Sequence, residues 1–525
     1  MEDIVIGSGP AGVSAAWALI KQGRNVTMLD VGEQLEIEKS DLRSRLACVN
    51  PEEWQTDDIR SYTYVRRSGK VDGMHPFGSD IMFRDSVEFF EGQNKNPSIG
   101  VRPSFAAGGL SNGWGSSILP YRQEDIMDWP ASTRELDIHY EALREFMPMA
   151  GLADHLMDLF PKLNMSINTA LPLSQQAQEL LARLELKKER LNQSGIFFGQ
   201  ARQAVNQECR KCNMCLYGCP YGVIYNATQT RDKLNENTAF SYRKGFCITR
   251  FEEDENGVRL WARDIHKQKD IEFTTKRIFV ACGVLSTAKL LMNSLNYFDK
   301  PIYLKDSQHF FLPLLHSWKP GEDLDTEETN SLVQLFVEII DPDSHDKTVH
   351  AQLYTFNDLY QADMRKRFGP FAKLFDPLTK QLSRRLIVAQ GFLHSDYSSQ
   401  IEMRLIRDGA RKYLRMNEKE NARTKEAISH IRSKLRKLSR EAGLVALTQF
   451  AHKGIAGSSF HCGSTFPMRD KPSGLDSDTL GRPAGLQRVH VVDASVLPTI
   501  PATTITLSVM ANAHRIAMES AGLAD

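Results

Sequence analysis

The feature that most constrains this chain is its first thirty residues. Ile4-Val5-Ile6 is a short apolar run of buried-strand type. It leads into Gly7-Ser8-Gly9-Pro10-Ala11-Gly12, and a helix-like run from Val13 to Lys21 follows. Gly23 ends that run, and a second strand from Asn25 to Leu29 delivers Asp30. A G-x-G-x-x-G turn between strand and helix, with an acid closing the next strand, is the dinucleotide-binding unit of a doubly wound α/β fold. Gly7 permits the tight turn, Gly9 lets a pyrophosphate approach the backbone, and Gly12 lets helix and strand pack closely. The start of that helix, with Pro10 and Ala11 beside it, turns its unpaired N–H groups toward the phosphates. Asp30 stands where a carboxylate accepts hydrogen bonds from a ribose hydroxyl. The motif serves FAD and NAD alike. Its position at the extreme N-terminus points to FAD.

The 525 residues predict two to four structural units at about 100–200 residues each. Lys+Arg and Asp+Glu both number 65, so no global excess of cations exists to neutralise nucleic-acid phosphates. No apolar run reaches the roughly 18 residues of a membrane span. No basic, apolar leader precedes Ile4, so the protein is expected in the cytoplasm.

Eight cysteines are too few for a disulfide scaffold in a chain this long. Four of them, Cys209, Cys212, Cys215 and Cys219, form C-x2-C-x2-C-x3-C followed by Pro220. That is the bacterial ferredoxin spacing for a [4Fe–4S] cluster. Zinc, or a cysteine-lined turn without metal, are the other readings. Cys48, Cys247, Cys282 and Cys462 are the remaining thiols that could complete a cluster.

Near the other end, His461-Cys462-Gly463-Ser464-Thr465 is followed by Met468. A strand-like Val489 to Asp493, then Ala494 to Pro498, then a helix-like segment from about Thr504 to Glu519 come after it. This order resembles the C-terminus of the glucose–methanol–choline (GMC) flavin oxidoreductases. Further segments agree. Gly108 to Gly115 resembles the family's glycine-rich stretch over the isoalloxazine, Asp128-Trp129-Pro130 its entry to the substrate domain, and Ile278 to Gly283, with Ser286 and Leu290-Leu291, its strand–turn–helix signature.

The resemblance implies an α/β protein in which a Rossmann-type FAD-binding domain is interleaved with a mixed-sheet substrate (cap) domain. The FAD domain would take residues 1–130, 191–299 and 455–525, and the cap 131–190 and 300–454. His461 falls on the family's active-site histidine, the general base for oxidation of a CH–OH group. An imidazole suits that task because its ordinary pKa lies near neutrality. Asp493 falls on a residue near the ribityl and pyrophosphate groups. Gly109, Ser111, Asn112, Trp114, Pro501 and Thr503 are further candidates for contact with the cofactor. Asn112 lies near where some relatives attach FAD through a histidine, so FAD here is expected to be non-covalent.

Two positions depart from the pattern. Ser464 replaces a glycine, and Ile500 occupies the place of the family's second His or Asn. Thr503, Thr504 and His452 are the nearest polar substitutes in sequence.

Residues 243–282 read as a small β-meander with a hairpin at Glu255-Asn256-Gly257. The expected cap is acidic over 321–346 and basic over 404–440. Ile428, Ile431, Leu435 and Leu438 recur at helical spacing among Arg432, Lys434, Arg436, Lys437 and Arg440. That is an amphipathic helix with a cationic outer face. Residues 365–375 mix Arg and Lys with Phe. Such segments suit a solvated face, a peripheral contact with the inner membrane surface, or a basic mouth for a phosphate- or lipid-linked substrate.

The resulting expectation is an FAD-dependent dehydrogenase. It acts on a secondary hydroxyl of a sugar or polyol-like substrate, and its electrons leave through a [4Fe–4S] cluster to an external acceptor. A redox-neutral sugar epimerase or isomerase and an electron-transfer or scaffold subunit are the alternatives.

Overall fold

The structure is a computed structural model. It describes residues 2–64, 75–84, 99–160, 169–317, 327–341, 345–356 and 381–522. Glu322, Asp323, Asp325, Asp343 and the whole segment 365–375 lie outside the described residues.

β1 (Glu2–Ile6), β2 (Asn25–Asp30), β4 (Phe240–Lys244), β8 (Arg277–Val280) and β19 (Val489–Val491) form a sheet in the order β19-β8-β1-β2-β4. Every pairing in it is parallel. The chain moves from β1 to β2 on one side, and β8 joins on the other. The strand order therefore reverses at β1, where an open α/β sheet leaves a crevice beyond its strand ends. The helix Pro10–Lys21 follows β1 and packs against the C-terminal helix Ile505–Ala521. Ser14 Oγ donates to Met510 O at 2.7 Å, joining the two ends of the chain.

β5 (Phe246–Glu253), β6 (Val258–Asp264) and β7 (Lys269–Thr275) make the expected meander. Asp254 Oδ1 accepts from the N–H groups of Asn256 and Gly257 and closes its first turn.

The largest sheet runs β16-β10-β13-β12-β11-β3, with β17 also on β10. Its strands are β3 (Ile196–Gln200), β10 (His309–His316), β11 (Leu335–Asp341), β12 (His345–Tyr354), β13 (Leu386–Phe392), β16 (Leu444–Ala446) and β17 (His452–Lys453). All its described pairings are antiparallel. Parallel and antiparallel pairing thus mix between sheets of this α/β protein rather than within one.

Side chains alternate across a strand, so this sheet has two different faces. Leu312, Leu314, Val337, Val349, Ala351, Leu353, Ile387 and Ala389 point to one core. The helix Gln175–Glu185 and the helix Arg423–Ala442 cover it with Leu180, Leu184, Ile428, Ile431, Leu435 and Leu438. The amphipathic helix read from the sequence is this second helix, and its apolar stripe is buried. The other face of the sheet bounds the site described below.

A fourth sheet, β15-β14-β9-β18, contains β9 (Ile302–Asp306), β14 (Gln400–Asp408), β15 (Arg411–Lys419) and β18 (Cys462–Gly463). It sets the segment that carries His461 beside Asp306. No helix among the described residues is long and apolar enough to cross a membrane.

Candidate active site

One cavity of about 1090 Å³ lies between the parallel sheet and the large antiparallel sheet. Gly7, Ser8, Gly9, Pro10, Ala11 and Asp30 line its floor, with Gly109, Ser111, Trp114 and Asp493 around them. His461 and the free face of the large sheet close the far end. Gly12, Asn112, Pro501 and Thr503 are not among the lining residues.

The glycines of the turn have distinct jobs. A Cβ on Gly7, where φ is +102°, would sit 2.4 Å from Ala281 O, and one on Gly12 would sit 2.0 Å from Gly7 O. A Cβ on Gly9 would meet nothing within 4 Å. Gly7 and Gly12 are therefore needed for packing, whereas Gly9 faces open space. The helix Pro10–Lys21 starts there without a side-chain cap, so its first N–H groups stay available. This is the cradle an FAD pyrophosphate requires, and the residues present fit that cofactor.

Asp30 is buried, and burial pushes its carboxyl up to about 6. Ser8 Oγ and Tyr242 Oη donate to its Oδ2 and oppose the shift. Ser8 Oγ in turn accepts from Gly108 N at 2.9 Å, which ties the glycine-rich stretch to the first turn. Asn112 faces away from the cavity. Its amide donates to Ala107 O and Gly109 O and accepts from Asn226. Ser111 Oγ bonds Gly108 O and Ala227 N, and Trp114 Nε1 donates to Tyr225 O. Asp493 accepts from Gly283 N, Thr287 Oγ1 and Ser495 N, so it fixes the start of the helix Val284–Ser294 at the cavity edge.

His461 stacks on Phe392 with ring centroids 4.8 Å apart. Burial pushes its imidazole down to about 3, and His350 and His309 add to the shift. It is therefore uncharged at neutral pH, and a weaker base than a free imidazole. Its buried Nδ1 has no hydrogen-bond partner among the described residues. Asp306 holds the segment in place. Its carboxylate accepts from Gly457 N, Ser459 Oγ and the Cys462 thiol, and Ser459 Oγ accepts from His461 N.

Ile500 is fully buried and does not line the cavity. Its N–H donates to Ser395 Oγ and its carbonyl accepts from Ser395 N. Of the polar substitutes read from sequence, Thr504 lines the cavity, but its Oγ1 already accepts from Leu119 N at 2.8 Å. The polar groups facing His461 come instead from the large sheet. Phe311 pairs with Gln390, and Gln390 with Gln352. One step along the same face, His309 pairs with Phe392, Phe392 with His350, and His350 with Glu338. Phe311, Gln352, Tyr354, Val388, Gln390 and Phe392 all line the cavity. Sequence reasoning missed this platform. Its signal was the strict alternation in His350-Ala351-Gln352-Leu353-Tyr354 and Val388-Ala389-Gln390-Gly391-Phe392.

The four cysteines of the run line a second, small cavity with Leu171, Val205, Tyr221, Val223, Ile224 and Leu332. Cys215 also lines the large one. Burial pushes the Cys209 thiol up, opposed by the nearby Lys211 N–H. Burial pushes the Cys212 and Cys215 thiols up to about 12, with their cysteine neighbours adding to it. Among the described residues, no three His, Cys, Asp or Glu side chains are grouped to hold a metal ion.

A family model described as GMC oxidoreductase matches residues 387–513. The crystal structure of pyridoxine 4-oxidase from Mesorbium loti is similar in fold at a TM-score of 0.58 and 14% identity, covering 99% of this chain and 98% of that one. No curated protein matches the sequence. The family match thus covers the C-terminal quarter of the chain, from β13 to the last helix, and the likeness to the solved structure shows a fold shared from end to end.

Proposed function

We propose that the protein is an FAD-dependent dehydrogenase that oxidises a secondary hydroxyl of a sugar or polyol-like substrate. The observation that carries this reading is a single cavity whose wall includes Gly9, His461 and Cys215. Gly9, the start of the following helix, Asp30, Gly109 and Ser111 would hold FAD non-covalently, because Asn112 is turned away and offers no attachment. When bound, FAD would supply a hydride acceptor beside His461. His461, which lines the cavity, would take the hydroxyl proton. Phe311 and Phe392 supply apolar rings, and Gln352, Gln390 and Tyr354 supply hydrogen-bonding groups. Such a mixture suits a ring that is apolar on its faces and rich in hydroxyls at its edge.

Cys209, Cys212, Cys215 and Cys219 are proposed to hold a [4Fe–4S] cluster, which would supply a one-electron exit. What supports this is the ferredoxin-type spacing of the four cysteines, whose side chains line one small cavity.

The test is anaerobic purification followed by a visible spectrum and iron and sulfide analysis, then titration with sugars and polyols. Bound flavin, about four irons per flavin and substrate-dependent bleaching of the flavin band are expected. His461→Ala should bleach at least about 100-fold more slowly while retaining flavin. Failure of a broad alcohol panel to bleach the flavin overturns the dehydrogenase. Iron-free protein with intact bleaching overturns only the cluster. Turnover with no acceptor present selects the epimerase instead.

A further inference from the structure

Behind the substrate platform lies a buried chain of polar groups that the hydride and proton steps do not use. Glu338 and His350 face each other across β11 and β12, and both side chains are fully buried. Glu338 Oε1 lies 2.7 Å from His350 Nδ1. His350 Nε2 lies 3.2 Å from Gln352 Nε2. Tyr354 Oη donates to Gln352 Oε1 at 2.9 Å. Gln352 and Tyr354 line the cavity, whereas Glu338 and His350 do not.

The donor and acceptor roles along this chain are not free. A carboxylate can only accept, so His350 carries its proton on Nδ1. Its Nε2 is then an acceptor and takes an N–H from Gln352. That fixes the Gln352 amide, with Oε1 toward Tyr354. The Tyr354 hydroxyl must donate to it, which leaves the phenol oxygen as an acceptor for a ligand. The second Gln352 N–H is left as a donor.

We infer that Glu338 is a positioning residue for substrate recognition. Through His350 it sets the polarity of Gln352 and Tyr354, so that the platform selects a substrate offering a hydroxyl donor to Tyr354 and an acceptor to Gln352. Vicinal hydroxyls supply both, and an O-methyl ether at the first position supplies no donor. This deepens the sugar or polyol reading and rests on it. Glu338→Gln preserves the shape but lets either His350 tautomer form. The amide can then turn over, and Tyr354 can become the donor.

Two measurements test the inference on the full-length holoenzyme. The first needs no substrate. 3-Fluorotyrosine is placed at position 354, and its ¹⁹F resonance is compared with and without Glu338→Gln. A shift is expected, because the phenol changes its hydrogen-bond role; an unmoved resonance overturns the relay. The second uses whichever polyol of the panel reduces the flavin, together with its O-methyl ether. Glu338→Gln should raise KM for the polyol about tenfold, with the loss falling on KM rather than kcat, and narrow the preference over the ether. In a Gln352→Ala background the same change should add nothing, since the residue it orients is gone. Additive losses, or a loss confined to kcat, overturn it.

If Glu338→Gln does not accumulate as folded protein, His350→Asn breaks the same chain and must move the same resonance. If no alcohol reduces the flavin, the proposed function fails while the ¹⁹F comparison still decides the relay.

Discussion

Gly9 and Gly12 stand three positions apart and carry opposite constraints. A methyl group on Gly12 collides with Gly7 O, whereas one on Gly9 points into the cavity. Gly12→Ala should therefore lower thermal stability. Gly9→Ala should melt near the wild-type temperature yet lose flavin on gel filtration. Equal flavin retention by Gly9→Ala would remove the pyrophosphate cradle from that place. Asp306 makes a second residue-scale case. Burial pushes its carboxyl from 3.8 up to about 6. A raised acid stabilises the fold fully below its ordinary pKa, and that contribution is lost as pH rises through the folded value. The stability of wild type relative to Asp306→Asn should thus fall between pH 3.8 and about 6 and be constant above, as read from paired melting curves. Asparagine also lacks acceptors for all three donors, so His461 loosens. Flavin reduction should slow by about ten- to a hundredfold.

At the scale of elements, the large sheet separates two tasks by its pleat. The face on the helices is aliphatic, and the face on the cavity alternates glutamine, phenylalanine, tyrosine and histidine. Gly391 lies on β13 between Gln390 and Phe392. A Cβ there would sit 2.1 Å from Phe310 Cζ. Gly391→Ala should destabilise the protein by about 1–3 kcal/mol, the usual cost of overpacking, as read from denaturant melts. It should also raise KM, because both neighbours line the cavity. An unchanged KM in a destabilised variant would separate the platform from recognition. The meander at 246–275 and the helix Arg423–Ala442 were legible in the sequence, since each obeys one local period. The platform was not, because its rows join residues distant in the chain, such as Phe311 with Gln390 and Gln390 with Gln352.

For the whole molecule, the chain ends close one structure. Asp3 in β1 is fully buried and pairs with Arg24 and with Arg277 in β8. Arg277 Nη1 donates to Ser520 O at the end of the last helix. Arg277→Ala leaves the Asp3 charge buried with half its compensation. It should cost about 3–5 kcal/mol, as broken buried pairs do, and release flavin at lower denaturant than wild type. A smaller loss with flavin retained would show that the ends are held mainly by the packing of the first and last helices. By itself the sequence determined the βαβ turn at Gly7 to Gly12, the acid at position 30, the cysteine spacing and His461. Each of these is a short pattern whose chemistry depends on neighbours in the chain. Only the tertiary structure decided that Ile500 is core, that Asn112 and Thr503 do not line the cavity, and that Gln352 and Tyr354 line it with Glu338 behind them. For Glu338, Gln352 and Tyr354 the outcome depends on which strands pair and in which register, and a one-residue slip would turn each to the opposite face.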